Sequence, residues 1–369
     1  MGQHHPPTHD EKNMTLTAQR SSSHHTPIMQ FIPKDEVARL TPYGALIQSL
    51  AKGLREPIES PPRSHFNPNH DASTVLIMPA WRPNRMMGTK IVSIWPENNA
   101  RGKPAVSAVY VLTSCEDGTT LAVIDGTELT LRRTAAAAAL AARLLARPGS
   151  TRLAVLGTGA LSAHMAMAHH SVFKLSETVI WGRQLDKAQA VVDELAKVGI
   201  AARATTNLES TLAAIDIVAA VTTATAPFIR SEWVKPGTHL GLIGAFTANM
   251  AEAEPQLLPG VRLFVDTREG VLQKGGEVWQ ALRAGLISEA DVRGELTELL
   301  ASSPHMTGRS SEQDITVYKS VGFAALDLIA AEHVLQGFTP LPAPALMAYP
   351  ATTSVPTGQK PPSKTDSPR

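Results

Sequence analysis

The run Arg152-Leu153-Ala154-Val155-Leu156-Gly157-Thr158-Gly159-Ala160-Leu161-Ser162 constrains this chain more than any other feature. A stretch of strand character passes through two glycines and a small residue into an apolar helix. Gly157 permits the tight turn, Gly159 lets backbone approach a pyrophosphate, and Ser162 keeps helix and strand close, while the helix start presents free N–H groups to phosphate. Taken alone, the spacing also suits an ordinary strand-to-helix turn. The residues beyond it add weight: strand 178–181, helix 185–198, strand 202–205, helix 208–214, and strands 217–221, 239–243 and 262–265. Such alternation specifies a parallel sheet covered by helices, so the fold class is α/β with a central Rossmann dinucleotide-binding domain.

Before residue 130 the pattern is different. Short strands are expected at 74–78, 90–95, 107–112 and 120–124, parted by Asn98-Asn99 and Glu116-Asp117-Gly118, which points to an antiparallel or mixed sheet. The apolar stretch 135–146 carries Arg143 and is too short to cross a bilayer, so it reads as a buried helix. A last helix, 320–335, places Phe323, Leu326, Leu328 and Ile329 at helical spacing and returns to the first domain. The expected organisation is a disordered tail 1–30, a substrate and dimerisation domain beginning at 31–133, the Rossmann domain 134–317, a return 318–349, and a disordered tail 350–369. His4, His5, His9, His24 and His25 fall in the first tail and read as adventitious metal affinity.

Charge narrows the partners. Lys+Arg 34 against Asp+Glu 33 leaves +1 and no basic run, so neither nucleic acid nor an anionic membrane is an expected partner. The single cysteine, Cys115, makes no internal disulfide, and Cys/His metal-ligand spacing is missing, which suggests a metal-free protein of the reducing cytoplasm.

Four cations stand out for chemistry. After the second Rossmann strand, Trp181-Gly182-Arg183-Gln184 carries no carboxylate for a ribose 2′-OH, and Arg183 suits a 2′-phosphate, favouring NADPH while leaving NADH open; a solvated loop arginine is the alternative. Arg132 and Arg133 project about 100° apart on a helix, so one can face the cleft while the other is solvated. Lys90 lies in an apolar strand, where a buried ammonium needs an acceptor; a ligand carboxylate is one answer and exposure at an edge is another.

In addition, Met78-Pro79-Ala80, Gly88-Thr89-Lys90, Pro96-Glu97-Asn98, Leu121 to Gly126, Thr130 to Ala135, Gly157-Thr158-Gly159, Trp181-Gly182-Arg183, Trp233 to Gly237, Ile243-Gly244-Ala245, Val265-Asp266 and Tyr318 to Gly322 occur in that order. In these stretches the chain resembles the ornithine cyclodeaminase and mu-crystallin family, and most closely its cyclic ketimine reductases, from about Arg63 to about Leu335. The resemblance implies a central Rossmann domain, an α+β substrate domain made from both chain ends, a homodimer joined through it, and a small imino- or amino-acid substrate. It implies that Lys90 is the active-site lysine, that Arg133 lies between substrate carboxylate and nicotinamide, and that Arg63 is a substrate-carboxylate arginine. By the same resemblance Gly157, Thr158, Gly159, Ala160 and Leu161 hold the pyrophosphate, and Arg183 the adenosine ribose side. Thr222 and Thr223 take the nucleotide face, Gly244, Ala245 and Phe246 the nicotinamide edge, and Lys319 and Ser320 close the cleft.

One departure bears on the reaction. Ornithine cyclodeaminases carry Gly-Gly-Asp where this chain reads Gly244-Ala245-Phe246, and no Asp occurs between Asp216 and Asp266. Phe246 exchanges no protons, which argues against cyclodeamination and for imine reduction. Glu252 and Glu254 are expected on a solvated helix start, and His164, His169 and His170 are expected to be structural. The expected activity is NAD(P)H-dependent reduction of pyrroline-2-carboxylate to L-proline, of piperideine-2-carboxylate to L-pipecolate, or of both, with Phe246 against the ring. The alternatives are an ornithine cyclodeaminase, an alanine-type amino-acid dehydrogenase, and a non-catalytic mu-crystallin-like binding protein.

Overall fold

Alternating apolar and polar residues between 74 and 125 build a six-stranded sheet in the computed structural model, which describes residues 29–70, 72–301 and 308–339. The histidines of the chain start, Tyr349 and the tail 350–369 lie outside the described residues. The strands are β1 (Gln30–Ile32), β2 (Ser64–Phe66), β3 (Thr74–Arg82), β4 (Met86–Ile94), β5 (Val106–Ser114) and β6 (Thr120–Asp125), in spatial order β1-β6-β5-β4-β3-β2. Strand β1 is parallel to β6, and the other neighbours are antiparallel. Both β3 and β4 outrun their expected lengths because a turn through Asn84, at φ 59°, joins them as a hairpin.

The pleat decides which side chains go inward. Along β4, Gly88, Lys90 and Val92 are buried while Met87 and Ile91 face out. The inner face is covered by α1 (Lys34–Leu40), α3 (Gly126–Leu145) and α10 (Ala324–Gly337), the last packing on β3 and β4, and α2 (Tyr43–Gly53) packs on α3 and α10. Asp125 caps α3 by accepting from the Glu128 N–H at 2.7 Å. The alanines 135–139 of α3 are buried, and this close-packing surface lets the helix contact both sheets.

The second sheet is wholly parallel, in the order β13-β12-β14-β11-β10-β7-β8-β9. Its elements are β7 (Arg152–Leu156), α4 (Leu161–His170), β8 (Glu177–Trp181), α5 (Leu185–Lys197), β9 (Arg203–Thr205), α6 (Leu208–Ala214), β10 (Ile217–Ala220), β11 (His239–Leu242), β12 (Arg262–Val265), α7 (Arg268–Lys274), α8 (Glu277–Arg283), β13 (Val292–Glu295), α9 (Leu296–Ala301) and β14 (Thr316–Lys319). The order reverses between β7 and β10, a switch point at the carboxyl ends of the strands where ligands of such sheets bind.

The topology corrects two expectations. Tyr318 and Lys319, read from the sequence as the start of the return, end β14, which is inserted between β11 and β12. The return helix accordingly begins at Ala324 rather than Ser320. Both sheets and α10 belong to one compact unit that ends at Gly337. Among the described residues, no helix is long and apolar enough to cross a membrane.

Candidate active site

At the switch point, β7 runs into Gly157-Thr158-Gly159 and then α4. Gly157 sits at φ 137°, and a Cβ there would lie 3.0 Å from the Val221 carbonyl, so only glycine fits the turn. Ala160 offers no side-chain cap to the start of α4, where the Ser162 N–H turns back onto the Gly159 carbonyl at 3.0 Å. A groove of about 630 Å³ opens here, walled by Gly157 to Gly159, Trp181 to Arg183 and the loop 221–228. Open space beside Gly159, the uncapped helix start and the exposed Arg183 fit an extended dinucleotide with its pyrophosphate on α4. Thr223 stands in the groove wall, whereas the Thr222 hydroxyl is turned inward onto Glu252.

A second cluster is buried between β4, α3 and α10. Lys90 is 1% exposed and places its Nζ 2.8 Å from the Asp327 carboxylate and 3.3 Å from the Thr130 hydroxyl. Arg133 donates from Nε to the same carboxylate at 2.7 Å. Arg63 donates to the Val321 carbonyl at 2.8 Å and to the Gly322 carbonyl. Gly322, at φ 75°, lies so close to Arg133 that a Cβ would sit 3.2 Å from its guanidinium. The turn 321–322 therefore separates Arg63 from Arg133, and a cavity of about 260 Å³ beside Arg63 is lined also by Met78, Lys274 and Phe323.

Charge in this cluster is unbalanced. Burial, then the neighbouring Arg133, pull the Lys90 ammonium down to about 7, against the attraction of Asp327. Burial lowers Arg63 as well, with Arg133 adding repulsion. Burial would raise Asp327, but Arg133 and Lys90 outweigh it and hold its carboxyl below the ordinary value. The other nearby carboxylate, Asp266, is engaged by the Ser320 hydroxyl at 2.8 Å and by the N–H groups of Thr267, Val321 and Gly322.

Several sequence expectations change. Lys90 needs no ligand to find an acceptor, because Asp327 supplies one. Arg132 is not simply solvated: it pairs with Glu128 at 2.6 Å and stacks 5.4 Å over the Tyr43 ring. Lys319 is fully buried on β14 and pairs with Glu277 at 2.8 Å, and Ser320 holds Asp266, so neither lines the groove. An ammonium in the middle of a parallel sheet has to meet an internal acid. Glu252, expected on a solvated helix start, is fully buried in a loop and binds Thr222, Gly244 and Ala245; Glu254, near it, accepts from the Ser231 N–H at 3.1 Å. Phe246 is half-buried against the core of the parallel sheet. His169 is buried and bonded to the Met165 carbonyl, while His164 meets the Tyr43 hydroxyl at 2.5 Å. Sequence reasoning missed Asp327, although a lone carboxylate in the apolar stretch Ala324 to Ala331 was a signal that some buried cation faces it.

Comparison with known proteins agrees with this architecture. The sequence profile described as the ornithine cyclodeaminase/mu-crystallin family matches residues 34–338. The Delta(1)-pyrroline-2-carboxylate reductase of Paracoccus denitrificans (strain Pd 1222) is 36% identical over 262 residues, which cover 71% of this chain and 82% of that protein. The solved structure of Thermococcus litoralis Delta(1)-pyrroline-2-carboxylate reductase in complex with NADH and L-proline aligns with a TM-score of 0.79 at 27% identity, over 84% of this chain and 97% of that one. An archaeal alanine dehydrogenase dimer with bound NAD aligns with a TM-score of 0.77 at 28% identity, over 84% and 95% of the two chains.

Proposed function

The chain belongs to the ornithine cyclodeaminase/mu-crystallin family, and from that premise we propose that it reduces a cyclic ketimine carboxylate with NAD(P)H. Its substrate on this reading is pyrroline-2-carboxylate, giving L-proline, or piperideine-2-carboxylate, giving L-pipecolate, or both. The observation that carries the reading is an excess of positive charge: Lys90 and Arg133, both buried, share one carboxylate, Asp327, while Arg63, across the turn 321–322, is held by the Val321 and Gly322 carbonyls instead of an acid. Buried cations of this kind call for a further anion, and a substrate carboxylate beside an imine nitrogen meets that need. The names of the Paracoccus and Thermococcus relatives support the same chemistry.

On this reading Arg63 exchanges its backbone carbonyls for the substrate carboxylate, and Arg133 grips it from the other side. Lys90, held near 7, delivers a proton from Nζ to the ring nitrogen at neutral pH, and protonation makes C2 electrophilic. Bound NAD(P)H supplies the hydride. Phe246 packs on the ring methylenes and excludes water. Cyclodeamination is disfavoured because Phe246 replaces the acid and because Glu252 is already committed to four N–H and O–H donors. The test is turnover with both cyclic ketimines, with pyruvate plus ammonia, and with ornithine. Oxidation of the dinucleotide by a cyclic ketimine is expected; a preference for the acyclic pair, or ammonia release from ornithine, overturns the reading.

No carboxylate follows β8 before Asp186, and Arg183 lines the groove, so we take NADPH as preferred and NADH as accepted. Arg183→Ala should cut kcat/KM for NADPH by about tenfold, the scale of one charged contact, and leave NADH nearly unchanged. An equal loss with both would remove Arg183 from cofactor choice. The outer face of the six-stranded sheet exposes Phe31, Phe66, Met87 and Ile91, and we take it as the face of a homodimer working in the cytoplasm. Ile91→Glu should then shift the mass seen by light scattering from two copies to one, whereas an unchanged mass would move the interface elsewhere.

A further inference from the structure

Strands β10 and β11 are held by a parallel ladder that ends with the Ile243 N–H on the Ala220 carbonyl, at 3.0 Å. Beyond that bond the loops after both strands are tied by one side chain. The Glu252 Oε1 accepts from the Thr222 N–H at 2.6 Å and its hydroxyl at 3.0 Å, and Oε2 accepts from the N–H groups of Gly244 at 2.8 Å and Ala245 at 3.3 Å. Gly244 packs against the Thr222 backbone so closely that no Cβ fits, which leaves the carboxylate as the spacer between the loops.

The charged groups facing it are few. Glu277 accepts from the Glu252 backbone N–H at 3.3 Å, and Lys319 gives its 2.8 Å ion pair to Glu277. All three side chains are fully buried, two carboxylates with one ammonium, and Glu277 takes that ammonium. Lys319 and Glu277 already form a neutral pair, and Glu252 has only N–H and O–H donors of its own.

We propose that Glu252 is a positioning residue for the dinucleotide: its carboxylate sets the gap between loops 222–224 and 244–246, which flank the nicotinamide half. The proposal rests on the reductase reading above, which puts the nicotinamide edge at 244–246. Burial pushes the Glu252 carboxyl up to about 7, against the pull of Lys319. A protonated carboxyl turns its O–H toward the Thr222 hydroxyl, reversing that bond, and loses the charge that strengthens the three bonds from N–H groups, so the clamp is tight above about pH 7 and loosens below it.

The test is NADH affinity, read by cofactor fluorescence without substrate on either side of neutral pH, for wild type, Glu252→Gln and Thr222→Val. In wild type, Kd should rise as the pH falls through about 7. Glu252→Gln should raise Kd about tenfold at alkaline pH, since its amide presents an N–H to an N–H, and should flatten the pH dependence. Its melting temperature should hold or increase, because the unpaired buried charge has gone. Thr222→Val, which deletes one donor, should raise Kd by less. A Glu252→Gln protein that binds NADH as wild type does, or keeps the wild-type pH dependence, or merely melts earlier, overturns the proposal. Wild type that binds neither NADH nor NADPH overturns the reductase reading itself.

Discussion

Lys90→Met removes ketimine reduction, with kcat/KM falling by about 10²–10⁴-fold, the range of a lost general acid. The fold survives, because Asp327 keeps Arg133 and methionine fills the volume in a strand that is otherwise apolar on its inner side. Lys90→Arg is the sharper control: arginine keeps the charge at every accessible pH and hands on no proton. It should spare KM more than kcat. The sign of the pH dependence follows from the form required. Both proton delivery and carboxylate binding need the ammonium, and the free enzyme holds Lys90 near 7, so wild-type kcat/KM falls as the pH rises through about 7. In the Lys90→Arg protein this limb is absent. A wild-type profile flat through that range, or a fully active Lys90→Met protein, contradicts the role.

Asp327→Asn carries the largest expected cost in stability. Asp327 is fully buried and is the shared acceptor of Lys90 and Arg133. Replacing it leaves two buried cations uncompensated, which costs about 3–5 kcal/mol. Urea unfolding should show a lower midpoint at unchanged slope. The carboxyl is held below its ordinary value, so its contribution stands above the unfolded carboxylate pKa of about 3.9 and is lost as the pH falls below it. Activity reports the same pairing. Asp327 opposes the lowering of Lys90, so its loss moves the limb of kcat/KM to more acidic pH. Unchanged stability together with an unchanged limb would mean that Asp327 is not the counter-ion.

The parallel sheet was legible because its evidence is local. The strand, glycine turn and helix at 152–162 and the alternation after it lie in consecutive residues, and the structure places β7 to β12 along that series. Strand order is not local. Thr316 to Lys319 is only four residues long, and its place between β11 and β12 depends on partners some fifty to eighty residues away. The cations of the site were legible as anomalies, above all Lys90 in an apolar strand. Their anion was harder to find. Asp327 lies 237 residues from Lys90, in a helix buried on nearly every side, so its sequence shows no polar face for the carboxylate to mark. Glu252 was misread for a related reason: in a polar-looking loop, burial is decided by β10 and β11 closing over it, which no periodicity records.

The central claim is that hydride reaches the α-carbon of a cyclic imine held by Arg63, Lys90 and Arg133. The direct measurement uses NADPH deuterated at the transferred position, with pyrroline-2-carboxylate and with piperideine-2-carboxylate, and follows the product by mass and NMR. The account predicts L-proline or L-pipecolate carrying one deuterium at the α-carbon, with no ammonia released, and loss of that product in Lys90→Met. An unlabelled α-carbon, release of ammonia, or no product from either ketimine with NADPH or NADH would contradict it.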